Sequence, residues 1–198
     1  FSRTRGNLIR LAFFSRLEPR PDDVYIATFL KSGTTWMQMI VYVLLRGREP
    51  DFDHIDDASP WLSNLAKDKD ADVEAINRMH GRRFFKSHDP YPRFNDLPST
   101  NRVIYVHRDP LDVLESLLHQ ERAYKDADLT YEDVADRYFD PAKRYNWFDF
   151  HAMWMRNEKG FPVLHIGYAE LKSDLDGCIR RVADFLDVAL TDDLLALV

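Results

Sequence analysis

A short polar turn between two apolar segments offers several groups that could bind an anion. It consists of Lys31, Ser32, Gly33, Thr34 and Thr35. Residues 24–29 before the turn are apolar, β-branched and aromatic, which predicts a buried strand. Residues 36–45 after it are mostly apolar, and Gly47 then ends a predicted helix. A strand, a turn of small residues and a helix together predict an anion cradle, because turn N–H groups and the helix dipole point to one place.

The position of the lysine separates this turn from the common ATP- and GTP-binding loop. In that loop the lysine directly follows the last glycine. Here Lys31 precedes Gly33. We therefore expect the turn to hold an anion without being an ordinary ATP loop; a tight turn with a surface lysine is the simpler alternative.

A histidine and a lysine lie at the carboxyl end of a second predicted strand, residues 83–87. His88 comes at the end of this strand and titrates near neutrality, so it is the candidate general base. Lys86 lies two residues earlier and therefore points to the same face. It could neutralise charge on a transferred group. Taken alone, His88 would be read as an ordinary histidine at a strand end.

A third basic position follows the predicted strand at residues 102–107. Arg108 comes next, and its planar guanidinium suits a phosphate or sulfate. Ser116 lies two turns into the helix predicted over residues 111–120 and could add a hydroxyl donor. A second anion site beside the first suggests a nucleotide with phosphates at both ends.

Strands and helical patterns alternate along the chain, which indicates an α/β fold with a central, mostly parallel sheet flanked by helices. A fourth strand is predicted at residues 161–167. Helices are also predicted over residues 8–14, 72–79, 131–138, 147–156 and 170–186. Because ligands of such sheets bind at the carboxyl ends of strands, Lys31, His88 and Arg108 should meet at one edge.

Composition limits the remaining function classes. With 198 residues, one domain is the default. The net charge of −6 argues against a general nucleic-acid surface. A single cysteine, Cys178, cannot form an internal disulfide, and no apolar run approaches the roughly 20 residues of a membrane span. We see no secretory signal pattern and expect a cytoplasmic location and no membrane partner.

The ordered set of motifs resembles the cytosolic sulfotransferase family. The matching residues are Lys31-Ser32-Gly33-Thr34-Thr35-Trp36, Lys86-Ser87-His88, Arg108 and Ser116. Residues 147–154 and 168–172 resemble the family as well, so the similarity runs over nearly the whole chain. The resemblance implies a three-layer, P-loop-like fold and the donor 3′-phosphoadenosine 5′-phosphosulfate (PAPS).

The resemblance also implies a role for each matching residue. Residues 31–35 would hold the 5′-phosphosulfate, and Trp36 would pack on the adenine, with Tyr168 near it. Arg108 and Ser116 would bind the 3′-phosphate. His88 would be the catalytic base, with Lys86 and Lys31 assisting the transferring sulfuryl group.

Two departures from the family are visible. Leu30 precedes the turn where the family commonly has proline. Residues up to Val198 do not include the Arg-Lys-Gly segment that covers the 3′-phosphate in the family. We expect one sulfotransferase domain over residues 1–198 that lacks this segment.

The acceptor and two rival functions stay open on the sequence alone. We expect a small acceptor with a hydroxyl or amine, bound by the loops at residues 48–82, 89–100 and 121–146. In the aromatic segment, core packing is favoured, with Phe150 or His151 as a lesser candidate for the acceptor pocket. The rivals are a P-loop-type nucleotide or small-molecule kinase and a non-catalytic binder that uses the anion sites to hold a partner or a nucleotide. No metal cluster is expected.

Overall fold

A parallel sheet forms the centre of the fold. The structure, a computed structural model, describes residues 2–89, 98–143, 145–158 and 160–198, with the side chains of the first helix described from residue 8 onward. The strands are β1 (Val24–Thr28), β2 (Phe84–Ser87), β3 (Arg102–His107) and β4 (Val163–Gly167). They pair in the order β2-β1-β3-β4, and each neighbouring pair is parallel.

Helices surround the sheet along the described chain. They are α1 (Ser2–Arg16), α2 (Thr34–Arg46), α3 (Ile55–Ala58), α4 (Leu62–Leu65), α5 (Val73–Asn77), α6 (Pro110–Tyr124), α7 (Tyr131–Tyr138), α8 (Trp147–Arg156), α9 (Tyr168–Ser173), α10 (Leu175–Phe185) and α11 (Asp192–Leu197).

The alternation of side chains along the strands produces two cores, one on each face of the sheet. Tyr25 and Ala27 of β1 pack with residues from α1 and from α4 to α8. Val24 and Ile26 pack on the other face with α2, α3, α9 and α10. Since every residue of β1 is buried, this strand lies at the centre of three layers. The predicted α/β fold with a parallel sheet is confirmed.

A buried ion pair closes the amino-terminal edge of the sheet. Arg83, just before β2, donates from Nε to Asp23 Oδ1 at 2.8 Å and from Nη2 to Asp23 Oδ2 at 2.6 Å. Both side chains are essentially inaccessible to solvent. Nη2 also donates to the Glu18 carbonyl at 2.7 Å, and Nη1 donates to the Ile76 carbonyl at 3.3 Å. Every guanidinium nitrogen therefore has a partner, which lets these two charges remain buried.

The long helix predicted over residues 170–186 is wrong, because the structure has two helices there. Asp174 separates α9 from α10 with φ −146° and ψ 71°, which is not helical. Its carboxylate accepts the Gly177 N–H at 3.0 Å and so caps the start of α10. The apolar positions of the two helices keep a helical spacing, which explains why the periodicity predicted one element.

Candidate active site

The start of α2 is an uncapped helix amino terminus. Gly33 takes φ 93°, and no side chain caps the helix. The first turn closes when Met37 N–H donates to the Gly33 carbonyl at 3.1 Å. The N–H groups of Thr34, Thr35 and Trp36 precede this bond and have no partner within the helix. They are therefore free to bind an anion, as the sequence predicts.

Glycine at position 33 is required both by the backbone and by a neighbour. A left-handed φ is costly for a residue with a Cβ. A Cβ at Gly33 would also lie 2.7 Å from Cδ2 of Tyr168. The Tyr168 ring thus packs directly against the cradle (residues 31–35), where it also meets Trp36 with ring centroids 6.1 Å apart and planes at 80°.

Arg108 is tied to the same cradle. Its Nη1 donates to the Lys31 carbonyl at 2.9 Å, and its guanidinium carbon lies 4.5 Å from the centre of the Tyr168 ring. Nε is buried, has no hydrogen-bond partner among the described residues and lies 3.6 Å from the Asp112 carboxylate. Ser116 is half-buried on α6, one turn beyond Asp112 on that side of the helix. Arg108, which the sequence predicts to bind a second anion, therefore adjoins the cradle.

His88 follows β2, and a hydrogen bond at one ring nitrogen holds its side chain. Its Nδ1 lies 2.9 Å from the Thr28 carbonyl. A carbonyl can only accept, so Nδ1 carries the hydrogen in this bond and Nε2 has a free lone pair. The pKa of His88 is lowered to about 4, mainly by burial; the Thr28 bond opposes this shift, and the charge of Lys86 adds to it. The side chain is therefore neutral at pH 7 and able to accept a proton.

Lys86 and His88 share an aromatic neighbour. The Lys86 ammonium lies 4.8 Å from the centre of a Trp61 ring, and the His88 and Trp61 rings are 5.0 Å apart and nearly perpendicular. Backbone contact holds Trp61 there, because Lys86 N–H donates to the Pro60 carbonyl at 3.1 Å. Lys86 Nζ also lies 3.6 Å from Asp56 Oδ1. The structure thus brings together the two predicted residues, and adds Trp61 and Asp56.

Two of the three loops that are predicted to bind the acceptor contact Lys86 or His88. Residues 48–82 supply Asp56 and Trp61, and in the segment 121–146 the Tyr145 hydroxyl donates to the His88 carbonyl at 3.1 Å. Within the third loop, residues 90–97 lie outside the described residues, as does residue 144 of the segment 121–146. Acceptor contacts from those positions stay a prediction.

The aromatic segment on α8 belongs mainly to the core. Phe150 and Trp154 are buried on the face that holds Tyr105. His151 is half-buried, and its Nδ1 lies 2.8 Å from the Tyr105 hydroxyl. The core interpretation is confirmed for Phe150 and Trp154.

The described residues contain neither a metal-binding cluster nor a membrane-spanning helix. Among them, no group of three His, Cys, Asp or Glu side chains is arranged to hold a metal ion. No helix built from these residues is long and apolar enough to cross a bilayer.

Sequence comparison identifies relatives over most of the chain. The family model for the sulfotransferase domain matches residues 21–198. An amine sulfotransferase from Oryctolagus cuniculus is 32% identical, with 98% of this chain and 65% of that protein covered. Sulfotransferase 2B1 from Mus musculus is 30% identical, with 89% and 53% covered. The chain thus spans between about half and two thirds of the length of these relatives.

Solved structures share the fold at lower sequence identity. A mouse sulfotransferase, SULT7A1, complexed with PAP superimposes with a TM-score of 0.72 at 23% identity, covering 98% of this chain and 68% of that one. Retinol dehydratase in complex with androsterone and the inactive cofactor PAP gives a TM-score of 0.75 at 20% identity, covering 97% and 67%. At these identities, the similarity is one of fold.

Proposed function

This chain belongs to the sulfotransferase domain family, and we propose that it transfers a sulfuryl group from PAPS to a hydroxyl or amine of a small acceptor. The observation that carries the proposal is the uncapped start of α2 beside a neutral histidine whose Nδ1 hydrogen is engaged by the Thr28 carbonyl, which leaves Nε2 as the proton acceptor. One end of this site is suited to a phosphosulfate and the other to removal of a proton.

The donor is assigned to the cradle and to the second anion site. Backbone N–H groups and Lys31 would hold the 5′-phosphosulfate. Arg108 and Ser116 would hold the 3′-phosphate, because the Arg108 Nε is buried and lacks a hydrogen-bond partner. Trp36 and Tyr168 would contact the adenine. Support comes from the two solved neighbours, both of them complexes with PAP, which is 3′-phosphoadenosine 5′-phosphate.

His88 is assigned the role of general base. Its Nε2 would accept the proton of the acceptor hydroxyl while the oxygen attacks sulfur. A base with a pKa of about 4 is weak, but it is fully deprotonated at neutral pH. Placement beside the reacting hydroxyl, and the rise in acidity of that hydroxyl as its oxygen bonds to sulfur, would supply the remaining driving force.

The lysines are assigned to charge stabilisation. Negative charge grows on the leaving 5′-phosphate as its bond to sulfur breaks, and Lys31 with the cradle N–H groups would stabilise it. Lys86, held by Trp61 and Asp56, would act on the sulfuryl oxygens. The reaction needs no metal in this scheme.

The donor class is tested by calorimetry with PAP and with ATP, followed by sulfuryl transfer assays in EDTA. We expect PAP to bind, ATP not to bind, and transfer to survive EDTA. ATP binding with activity that EDTA abolishes would instead indicate the kinase. Because one relative is named an amine sulfotransferase and one neighbour was crystallised with androsterone, the acceptor panel should contain amines and apolar alcohols.

The base is tested by His88→Ala. We expect kcat to fall about 10²- to 10⁴-fold, as for loss of a general base, with PAP affinity retained. His119, exposed on α6, provides the matched control, and His119→Ala should leave kcat unchanged. Full sulfuryl transfer by His88→Ala would disprove the assigned mechanism.

A further inference from the structure

Thr28, the last residue of β1, contacts both halves of the candidate site. Its side chain is fully buried. The Oγ1 atom lies 2.6 Å from Oγ1 of Thr34 in the cradle and 3.1 Å from Nδ1 of His88. One hydroxyl therefore joins the residue that faces the anion to the residue that faces the acceptor.

The direction of each hydrogen bond follows from the available hydrogens. Nδ1 of His88 must donate, because it shares its hydrogen with the Thr28 carbonyl. Thr28 Oγ1 can then only accept from Nδ1, which leaves its own hydrogen for Thr34 Oγ1. Thr34 accepts from Thr28 and so has its hydrogen free for an anion in the cradle. This order gives the Nδ1 hydrogen and the Thr28 hydrogen an acceptor each and leaves the Thr34 hydrogen for the anion.

The identity of the residue supports a polar role. The other positions of β1 are Val24, Tyr25, Ile26 and Ala27, and the strand is buried throughout. Valine would fill the same volume as threonine without a hydroxyl to satisfy. A buried hydroxyl contributes little to stability unless it is hydrogen-bonded, so these bonds are the reason for threonine here.

We propose that Thr28 is a positioning residue that couples the base His88 to the anion cradle through the chain His88 Nδ1–H, Thr28 Oγ1–H, Thr34 Oγ1–H and the leaving phosphate oxygen. The inference rests on the proposed function. No proton moves along the chain. The acceptor proton goes to Nε2, the acceptor oxygen bonds to sulfur, and the electron pair of the broken S–O bond goes to the phosphate.

The coupling has a direct chemical consequence. When Nε2 takes up the acceptor proton, His88 becomes an imidazolium and donates more strongly from Nδ1. Both hydroxyls are then polarised in the same direction, because linked hydrogen bonds strengthen one another. Thr34 donates more strongly to the phosphate oxygen at the moment when that oxygen gains charge. Deprotonation of the acceptor and departure of the phosphate are thereby linked.

The variants Thr28→Val and Thr28→Ser separate this role from packing. Valine keeps the volume and removes the hydroxyl, and serine keeps the hydroxyl and removes a methyl group. We expect Thr28→Val to lower kcat roughly tenfold with KM for the donor nearly unchanged, as for loss of one hydrogen bond. Thr28→Ser should retain kcat within about threefold. Thermal unfolding of both variants checks that each one folds.

A spectroscopic measurement tests the coupling without turnover. Nitrogen-15 NMR of the His88 ring, assigned with His88→Gln, is recorded with and without PAP and with inorganic sulfate as a second anion. We expect either anion to shift the Nδ1 resonance in the original protein and in Thr28→Ser but not in Thr28→Val.

The outcomes distinguish this inference from the proposed function. An equal Nδ1 shift in Thr28→Val, or no shift with either anion in the original protein, overturns the coupling. A normal shift with PAP but no sulfuryl transfer by the original protein overturns the proposed function and leaves the coupling supported. An unchanged kcat in a folded Thr28→Val variant also contradicts the coupling.

Discussion

The two edges of the sheet use similar charged residues in opposite ways. At the amino edge, Arg83 gives its donors to Asp23 and to two carbonyls, and both side chains are buried. At the carboxyl edge, Arg108 keeps a buried Nε without a hydrogen-bond partner, and the first N–H groups of α2 lack a cap. Full pairing at one edge stabilises the fold, whereas incomplete pairing at the other leaves capacity for a ligand.

The largest expected effect comes from removing the buried ion pair at the amino-terminal edge of the sheet. Arg83→Leu leaves Asp23 buried without its partner and should lower the free energy of unfolding by about 3–5 kcal/mol. Urea unfolding measures this loss. Arg16→Leu removes an exposed pair with Glu74, both about half exposed, and should cost less than about 1 kcal/mol. Similar losses in the two variants would contradict the contrast between buried and exposed pairs.

Removing a charge at the carboxyl edge should affect turnover and not stability. Lys31→Met takes away a charge beside the developing phosphate charge, and we expect kcat to fall about 10²- to 10³-fold. The midpoint of thermal unfolding should stay within a few degrees of the original value. A large loss of stability with normal turnover in the folded fraction would mean that Lys31 has a structural role like that of Arg83.

Acidification should act at the carboxyl edge through His88. Its pKa is about 4 in the folded chain and near 6.5 unfolded, so the unfolded chain binds more protons between these values. Stability contributed by neutral His88 is complete above about pH 6.5 and is lost as the pH falls towards 4, by at most about 3 kcal/mol.

Unfolding free energies measured from pH 7 to 4 should therefore fall more steeply in the original protein than in His88→Gln. Turnover should remain nearly constant down to about pH 5. If turnover instead fell with a midpoint near pH 6.5, the ordinary histidine pKa, burial would not perturb the pKa of His88.

The smallest expected effect concerns the shape of the cradle. Gly33→Ala places a Cβ in a left-handed conformation and against Tyr168, and should destabilise the chain by about 1–2 kcal/mol. The accompanying displacement of Tyr168 should weaken PAP binding, measured by calorimetry. Gly47→Ala, also left-handed but with nothing within 4 Å of the added Cβ, is the control that isolates the contact. Equal PAP affinities in the two variants would remove Tyr168 from the binding site.

Much of the fold was predictable because local signals agree with the tertiary structure. The strand at residues 102–107 and the helices at 131–138 and 147–156 have the bounds that the sequence predicts. Thr130 and Asn146 cap those two helices, which fixes their starts. The prediction of one long helix over residues 170–186 was wrong because a single capping aspartate interrupts an otherwise regular apolar pattern.

Lys31, His88 and Arg108 lie at the same edge because each follows a parallel strand, and parallel strands end at one edge. Asp56 and Trp61 were missed because their position depends on contact with Lys86, far along the chain, and no periodicity marks it. Thr28 was also missed. The available signal was a hydroxyl residue at the end of an otherwise apolar strand, directly before the cradle.

The strand order has a consequence for the size of the ligand. His88 follows β2, the cradle follows β1, Arg108 follows β3 and Tyr168 follows β4, which is also their order across the sheet. Neighbouring strands are about 4.8 Å apart, so the four strand ends span about 14 Å, with a different chemical group at each strand end. Backbone hydrogen bonds between the strands fix this spacing. The base and the arginine lie two strand spacings apart, about 10 Å, so a shorter molecule could reach either one but not both.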